Sequence, residues 1–308
     1  MLKIEKFEGM VAAPFTPMDS KGNLKTELIH EYYYFLQKNG IVGAFINGTT
    51  GEGASLTQKE KQLQVQKWAE CLKEGGKVRI INMVGGTCIN ECVENALFSY
   101  EAGLSAIAVI GPYFFKPSND SHLAEFVAQV GEAVPELPVY YYHFPAMTGV
   151  NFGMAGFISK ISKMLPNFAG IKFTHEDFMD FTLCLNYNDG AYDLLWGRDE
   201  CILPALATGC KGFVGSTYNF AAPLYHLIID SFNKGDLETA RRLYIKVAKM
   251  VSLLGKYGGI ATGKAFIKIA GIDCGGFRPP IKNLTEEMYN SLKQDIKLLG
   301  LQEFLSKK

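Results

Sequence analysis

The chain has 308 residues, 48% hydrophobic and 20% charged, with Lys plus Arg and Asp plus Glu both at 31. That length supports either one α/β barrel or two smaller domains, and a formal net charge of zero leaves no basic excess to hold nucleic acid or an anionic membrane surface. The opening Met1-Leu2-Lys3-Ile4-Glu5-Lys6 places charges where a secretory signal needs an apolar run, and the longest apolar stretch, near residues 104–115, is too short to span a bilayer.

Short apolar strands and amphipathic helices alternate from the start. A strand is predicted over 9–13, then a helix over about 26–39 that ends at Gly40. The second strand, 41–46, runs into Asn47-Gly48-Thr49-Thr50-Gly51-Glu52-Gly53. The next helix opens with the capping box Thr57-x-x-Glu60. Further strands are predicted over 78–84, 106–110, 139–142, 169–173, 193–196 and 212–214, each followed by a helical pattern. Repeated strand–helix units imply a parallel sheet, since parallel neighbours need crossover connections. Eight such units fit a (β/α)8 TIM barrel over residues 1–235, with an open doubly wound sheet as the competing α/β architecture. Residues 236–308 read as a C-terminal helical extension packed on the barrel, with helices over 237–257, about 263–269 and 286–299.

Seven cysteines occur with no C-x-x-C, an odd number that reads as reduced thiols in a cytoplasmic protein. Cys88 and Cys92 lie four apart, but no histidine pair completes a site, so no metal is expected.

In a barrel the C-terminal ends of the strands converge on one site. The sixth strand ends Gly170-Ile171-Lys172-Phe173-Thr174, where alternation puts Gly170, Lys172 and Thr174 on one face and Ile171 and Phe173 on the other. With the apolar pair under a helix, Lys172 points into the sheet interior. Burial disfavours the ammonium there, which makes a lysine a nucleophile toward carbonyls. A lysine snorkelling to the rim or paired with a carboxylate is the structural alternative.

The loop Gly48-Thr49-Thr50-Gly51-Glu52-Gly53 offers backbone N–H groups and two hydroxyls to a carboxylate or phosphate. It matches neither the dinucleotide fingerprint nor the Walker A loop, and a plain tight turn explains it equally. Tyr140-Tyr141-Tyr142-His143 puts Tyr142 on the inner face as a proton relay or a packing group, and His143 toward the helices. Trp196-Gly197-Arg198-Asp199-Glu200 brings two carboxylates that can accept from hydroxyls or cap the next helix. Thr174-x-x-Asp177 is a possible cap as well, and Gly215-Ser216-Thr217-Tyr218-Asn219 adds small hydroxyl donors. Together they form a polar cup around one interior lysine, suited to a keto acid with a polyol tail.

These motifs, with Tyr142-His143-Phe144-Pro145, resemble the N-acetylneuraminate lyase branch of the pyruvate-dependent class I aldolases, in the right order and over nearly the whole chain. The superfamily also contains 4-hydroxy-tetrahydrodipicolinate synthase. The resemblance implies that Lys172 forms a Schiff base with the keto carbon of open-chain sialic acid and that Tyr142 shuttles the proton of the hydroxyl beside the breaking bond. It implies that Thr49 and Thr50 hold the carboxylate and that Thr174, Gly197, Asp199, Glu200 and Ser216 bind the sugar tail. The implied products are pyruvate and N-acetylmannosamine, and the implied assembly is a homotetramer. Two departures from the synthase pattern favour the lyase. Pro112-Tyr113-Phe114 lacks the second phenol of Pro-Tyr-Tyr, and Pro145-Ala146-Met147 lacks the Gly-Arg whose cation binds a second carboxylate. Another keto-acid lyase or synthase on this scaffold is the runner-up. A non-catalytic sugar-acid sensor is the alternative of a different class, although both lysine and tyrosine are present.

Overall fold

The computed structural model describes residues 4–308, so the Met1-Leu2-Lys3 start lies outside the described residues. Eight parallel strands close into a barrel in sequence order: β1 (Gly9–Ala12), β2 (Gly43–Ile46), β3 (Arg79–Met83), β4 (Ala106–Ile110), β5 (Val139–His143), β6 (Phe168–Phe173), β7 (Asp193–Trp196) and β8 (Gly212–Gly215). Closure comes from β1 pairing with β8, Gly9 opposite Gly212 and Ala12 opposite Gly215. The helices that return the chain are α1 (Leu28–Lys38), α2 (Gln58–Lys73), α3 (Ile89–Ala102), α4 (Asp120–Glu132), α5 (Pro145–Thr148), α6 (Met154–Met164), α7 (Phe178–Leu185), α8 (Ile202–Ala207) and α9 (Tyr218–Asn233). The extension supplies α10 (Leu237–Lys256), α11 (Ile260–Ala270) and α12 (Glu286–Leu298). No helix among the described residues is long and apolar enough to cross a membrane.

The open doubly wound alternative is therefore excluded. Boundaries shift by a few residues: the first helix begins at Leu28 rather than residue 26, and the helix expected over 263–269 runs from Ile260 to Ala270. The one-turn α5 was not anticipated. Pro145 is its first residue, as suits a side chain that lacks an N–H, and Gly149 ends it at φ 65°.

Alternation along each strand makes two cores. The larger lies between strands and helices and takes Ile171, Phe173, Tyr141 and Trp196. The smaller fills the barrel with Phe7, Val11, Phe45, Tyr140, Tyr142, Leu195 and Val214. Phe7 closes the N-terminal end of the barrel, edge-on to Tyr140 at 6.1 Å and 3.7 Å from the Arg79 guanidinium. Asp193 accepts the Phe7 N–H at 2.9 Å and the Tyr140 hydroxyl at 2.8 Å, and burial lifts its carboxyl to about 6. The opposite end stays open for chemistry.

Strand register is held below the sheet by Asn167, which is 2% exposed. Its amide nitrogen faces the carbonyls of Gly131, Val134 and Leu137 at 3.3, 2.8 and 2.8 Å, joining the end of α4 to the entries of β5 and β6. Replacing Asn167 with Ala strands these buried carbonyls and should cost about 1–3 kcal/mol of stability. A lowered chemical-denaturation midpoint is expected. An unchanged midpoint would remove Asn167 from the register-setting role.

Candidate active site

The C-terminal mouth of the barrel contains a cavity of about 230 Å³ lined by Thr49, Thr50, Tyr142, Lys172, Thr174, Gly197, Asp199, Glu200 and Ser216. The nine residues that the resemblance implies for catalysis and substrate binding thus line one cavity. Lys172 supplies its floor. Its Cα is paired with that of Tyr142 across β5 and β6, and the side chain is 4% exposed inside the barrel. The Nζ lies 3.8 Å from the Phe45 ring centroid and 4.0 Å from that of Tyr142.

Desolvation dominates the titration of this amine. It lowers the pKa from 10.5 to about 7, against an opposing pull from the Asp199 carboxylate. A sizeable fraction is therefore the free base near neutrality, with its lone pair available. Burial acts in the opposite sense on the Tyr142 phenol, pushing it up to about 12. The Thr49 hydroxyl, 3.3 Å from the phenol oxygen, eases that rise. Thr174 eases it too, but its hydroxyl falls short of a full hydrogen bond and has no protein partner.

The strand-seven loop decides between the readings left open by the sequence. Asp199 does not cap a helix. One carboxylate oxygen accepts both the Thr217 N–H at 2.7 Å and the Thr217 hydroxyl at 2.6 Å, tying the β7 loop to the β8 loop. Burial, and then the neighbouring Glu200, raise its carboxyl to about 6, while Thr217 and Lys172 pull it down. Glu200 pairs with the Arg198 guanidinium at 2.7 Å, and the same nitrogen reaches Glu176 at 2.6 Å. The cap of α7 is Asp177, which accepts the Asp180 N–H at 3.0 Å, so Thr174 is free to face the cavity.

Two glycines permit this packing. A Cβ on Gly197 would lie 2.0 Å from the Thr174 hydroxyl oxygen, and one on Gly215 would lie 1.9 Å from Asp199 Oδ1. The His143 side chain faces the outer layer, 5.0 Å from the Phe173 ring, and burial lowers it to about 3. It is a neutral packing group, as alternation along β5 required.

Several wall residues escaped the sequence reading. Phe144 and Thr217 line the cavity, as do Val251, Leu254 and Ile260 of the extension. Phe144 and Thr217 lay inside quoted motifs, so their signal was present. The other three come from α10 and α11, whose helical periodicity says nothing about which strand loop they meet.

The dihydrodipicolinate synthetase family model matches residues 6–299. The chain is 38% identical to the N-acetylneuraminate lyase of Gallus gallus, over 94% of this chain and 95% of that protein. Among solved structures it resembles the Proteus mirabilis N-acetylneuraminate lyase at 35% identity and TM-score 0.92, over 96% of this chain and 99% of that one. A DHDPS from Cyanidioschyzon merolae aligns at 26% identity and TM-score 0.88, with coverage of 96% and 99%.

The depressed Lys172 pKa carries a stability consequence. The fold binds the ammonium less well than the unfolded chain, so Lys172 destabilises fully below about 7, and the penalty fades as pH rises toward 10.5. Lys172→Met should thus stabilise the protein by on the order of a few kcal/mol near neutral pH. Thermal denaturation of wild type and variant from pH 6 to pH 10 should show curves that converge as pH rises. A pH-independent difference would refute the shifted amine.

Proposed function

The chain belongs to the dihydrodipicolinate synthetase family, and from that membership we propose a Schiff-base aldolase that reversibly cleaves N-acetylneuraminate to N-acetylmannosamine and pyruvate. The observation that carries this reading is the Lys172 amine, buried, half-neutral near pH 7 and facing a cup of hydroxyls and carboxylates.

The free amine of Lys172 attacks the keto carbon of the open-chain substrate. Loss of water gives an iminium whose nitrogen draws in electrons as the neighbouring C–C bond breaks. The bond electrons pass into an enamine of pyruvate, and the hydroxyl carbon becomes the aldehyde of the departing sugar. Protonation of the enamine and hydrolysis release pyruvate and restore the amine, with no added cofactor in the electron count.

The proton leaving the substrate hydroxyl needs an acceptor, and Tyr142 is assigned that part. At rest its phenol is protonated, since its pKa is near 12; it first gives that proton to the hydroxyl that leaves the carbinolamine as water, and as the phenolate it then takes the proton of the substrate hydroxyl. A cationic iminium forming on Lys172, whose Nζ lies 4.0 Å from that ring, lowers the cost of a phenolate. Thr49 Oγ1, at 3.3 Å, continues the relay. Thr49 and Thr50 with their loop amides receive the substrate carboxylate. Thr174, Gly197, Asp199, Glu200 and Ser216 receive the tail.

Charge separates this reading from the synthase alternative. Arg198 is the guanidinium in the cavity wall, and Glu176 and Glu200 already hold it. Ala146 and Met147 are exposed on α5 and bring no cation. A second substrate carboxylate would have to compete with Glu176 and Glu200 for the Arg198 guanidinium, whereas a polyol finds several partners. We further propose a cytoplasmic homotetramer acting in sialic acid breakdown. Seven free thiols fit a reducing compartment. Phe114 and Phe115 at 74% and 86% exposure, with Met179 at 74%, fit surfaces that an assembly covers.

Two measurements test the assignment. Pyruvate with borohydride should form a covalent adduct at Lys172, located by peptide mass spectrometry and lost in Lys172→Ala. An adduct elsewhere, or none, would sink the mechanism. Glu200→Gln should impair N-acetylneuraminate cleavage by on the order of tenfold or more, since a group that reads a hydroxyl is then altered, while pyruvate trapping is largely kept. Equal losses in both assays would return Glu200 to a structural role.

A further inference from the structure

The loop that carries Thr49 and Thr50 is anchored by a buried ion pair that does not line the cavity. Glu52 Oε1 accepts from Lys264 Nζ at 2.9 Å, and Oε2 accepts the Arg278 N–H at 2.9 Å. The two charged side chains are 4% and 2% exposed. Lys264 also donates to the Gly276 carbonyl at 2.6 Å, and its ammonium lies 4.4 Å from the Phe277 ring centroid. Every partner of this node belongs either to the loop after β2 or to α11 and the segment that follows it. The pair joins residues 212 positions apart.

A buried ion pair is a poor way to gain stability, because desolvating two charges offsets most of their attraction. It does hold a fixed geometry, and this loop needs holding. Glu52 sits at φ 58° and Asn47 at φ 56°, left-handed conformations that non-glycine residues keep only when their surroundings enforce them. Directly after Glu52, a Cβ on Gly53 would lie 1.8 Å from the Asn47 carbonyl oxygen. On the barrel side the loop is tied by Thr16, whose hydroxyl donates to the Gly51 carbonyl at 2.5 Å. Gln64 adds bonds to Thr16 Oγ1 at 2.9 Å and to Asn47 Oδ1 at 3.0 Å. On the far side the anchor is Glu52.

We propose that Glu52 and Lys264 are positioning residues that set the Thr49–Thr50 loop to receive the substrate carboxylate, so that the C-terminal extension tunes keto-acid binding without touching the substrate. This rests on the aldolase reading, in which that loop meets the carboxylate of pyruvate. The extension then contributes twice: α10 and α11 give the cavity its apolar wall, and α11 holds the carboxylate loop in shape. A purely structural pair would affect stability alone. A positioning pair shifts the concentration of keto acid needed to fill the site.

The test titrates wild type, Glu52→Gln, Lys264→Met and the double variant with pyruvate. The imine is trapped with borohydride and the Lys172 adduct counted. Hydroxyacetone, a ketone without a carboxylate, serves as the comparison. Half-saturating pyruvate should rise by on the order of tenfold to a hundredfold, the scale of an ångström-level misplacement. The maximal trapping rate should change little, since the amine is untouched, and hydroxyacetone half-saturation should stay put. The double variant leaves no unpaired buried charge. It should fold well and still require more pyruvate, so misfolding of a single variant leaves the test intact. Unchanged pyruvate half-saturation with only a lowered Tm overturns the proposal, as does an equal loss for hydroxyacetone. A wild type that forms no adduct brings down the aldolase reading and this proposal with it. A wild type that does form one, beside variants with unchanged half-saturation, brings down this proposal alone.

Discussion

A primary amine held inside a closed parallel sheet is the constraint on which the rest of the structure depends. Water is excluded from Lys172, the ammonium loses its hydration, and the amine approaches neutrality at about 7. A permanent counterion would undo this. The nearest candidate is Asp199, and the fold turns its carboxylate toward β8, where one oxygen takes both hydrogen bonds from Thr217. Asp199 is itself buried and raised to about 6. The two groups thus titrate near one another, and neither is locked into a full ion pair. An amine beside an unrestrained aspartate would stay charged. One without any neighbouring carboxylate would pass its proton on less readily.

That balance requires close approach of loops from different strands. The β6 loop meets the β7 loop where Gly197 leaves room for Thr174, and the β7 loop meets the β8 loop where Gly215 leaves room for Asp199. Trp196 fixes the approach from outside the barrel. Its ring stacks on Phe178 at 4.4 Å and its indole N–H donates to the Arg198 carbonyl at 2.8 Å. The polar cup is therefore supported by the aromatic layer beneath the helices. Both cores, inner and outer, converge on the geometry of a few strand ends.

Which parts of this were legible in the sequence follows from their range. Strands buried on both faces appear as apolar runs, so eight of them could be placed without coordinates. Period-two alternation pointed Lys172 and Tyr142 inward and His143 outward, because it depends only on neighbours along the chain. The capping box of Thr57 and Glu60 is equally local and is present. The choice between capping and substrate reading for Asp199 and Thr174 was not legible, since it turns on Thr217 in another loop and on Asp177 taking over the cap. The ion pair of Glu52 with Lys264, and the cavity wall of Val251, Leu254 and Ile260, depend on how the extension returns across the barrel mouth. No local periodicity encodes that return.

The charge distribution around the cavity also bears on which substrates it suits. Arg198 bridges Glu176 and Glu200, so its charge is already neutralised twice over. One oxygen of Asp199 is occupied by Thr217, and Lys172 is reserved by its own desolvation. Two buried polar atoms of the cavity wall remain without a partner, the Thr174 hydroxyl and the Arg198 Nε. A buried hydroxyl left in that state is a standing penalty that a ligand hydroxyl removes and an apolar group does not. On the aldolase reading, then, the end of the cavity beyond the keto acid suits a hydroxyl-rich tail. On that same reading the loop anchored by Glu52 is the one that meets the carboxylate at the other end, with the Lys172 amine between them.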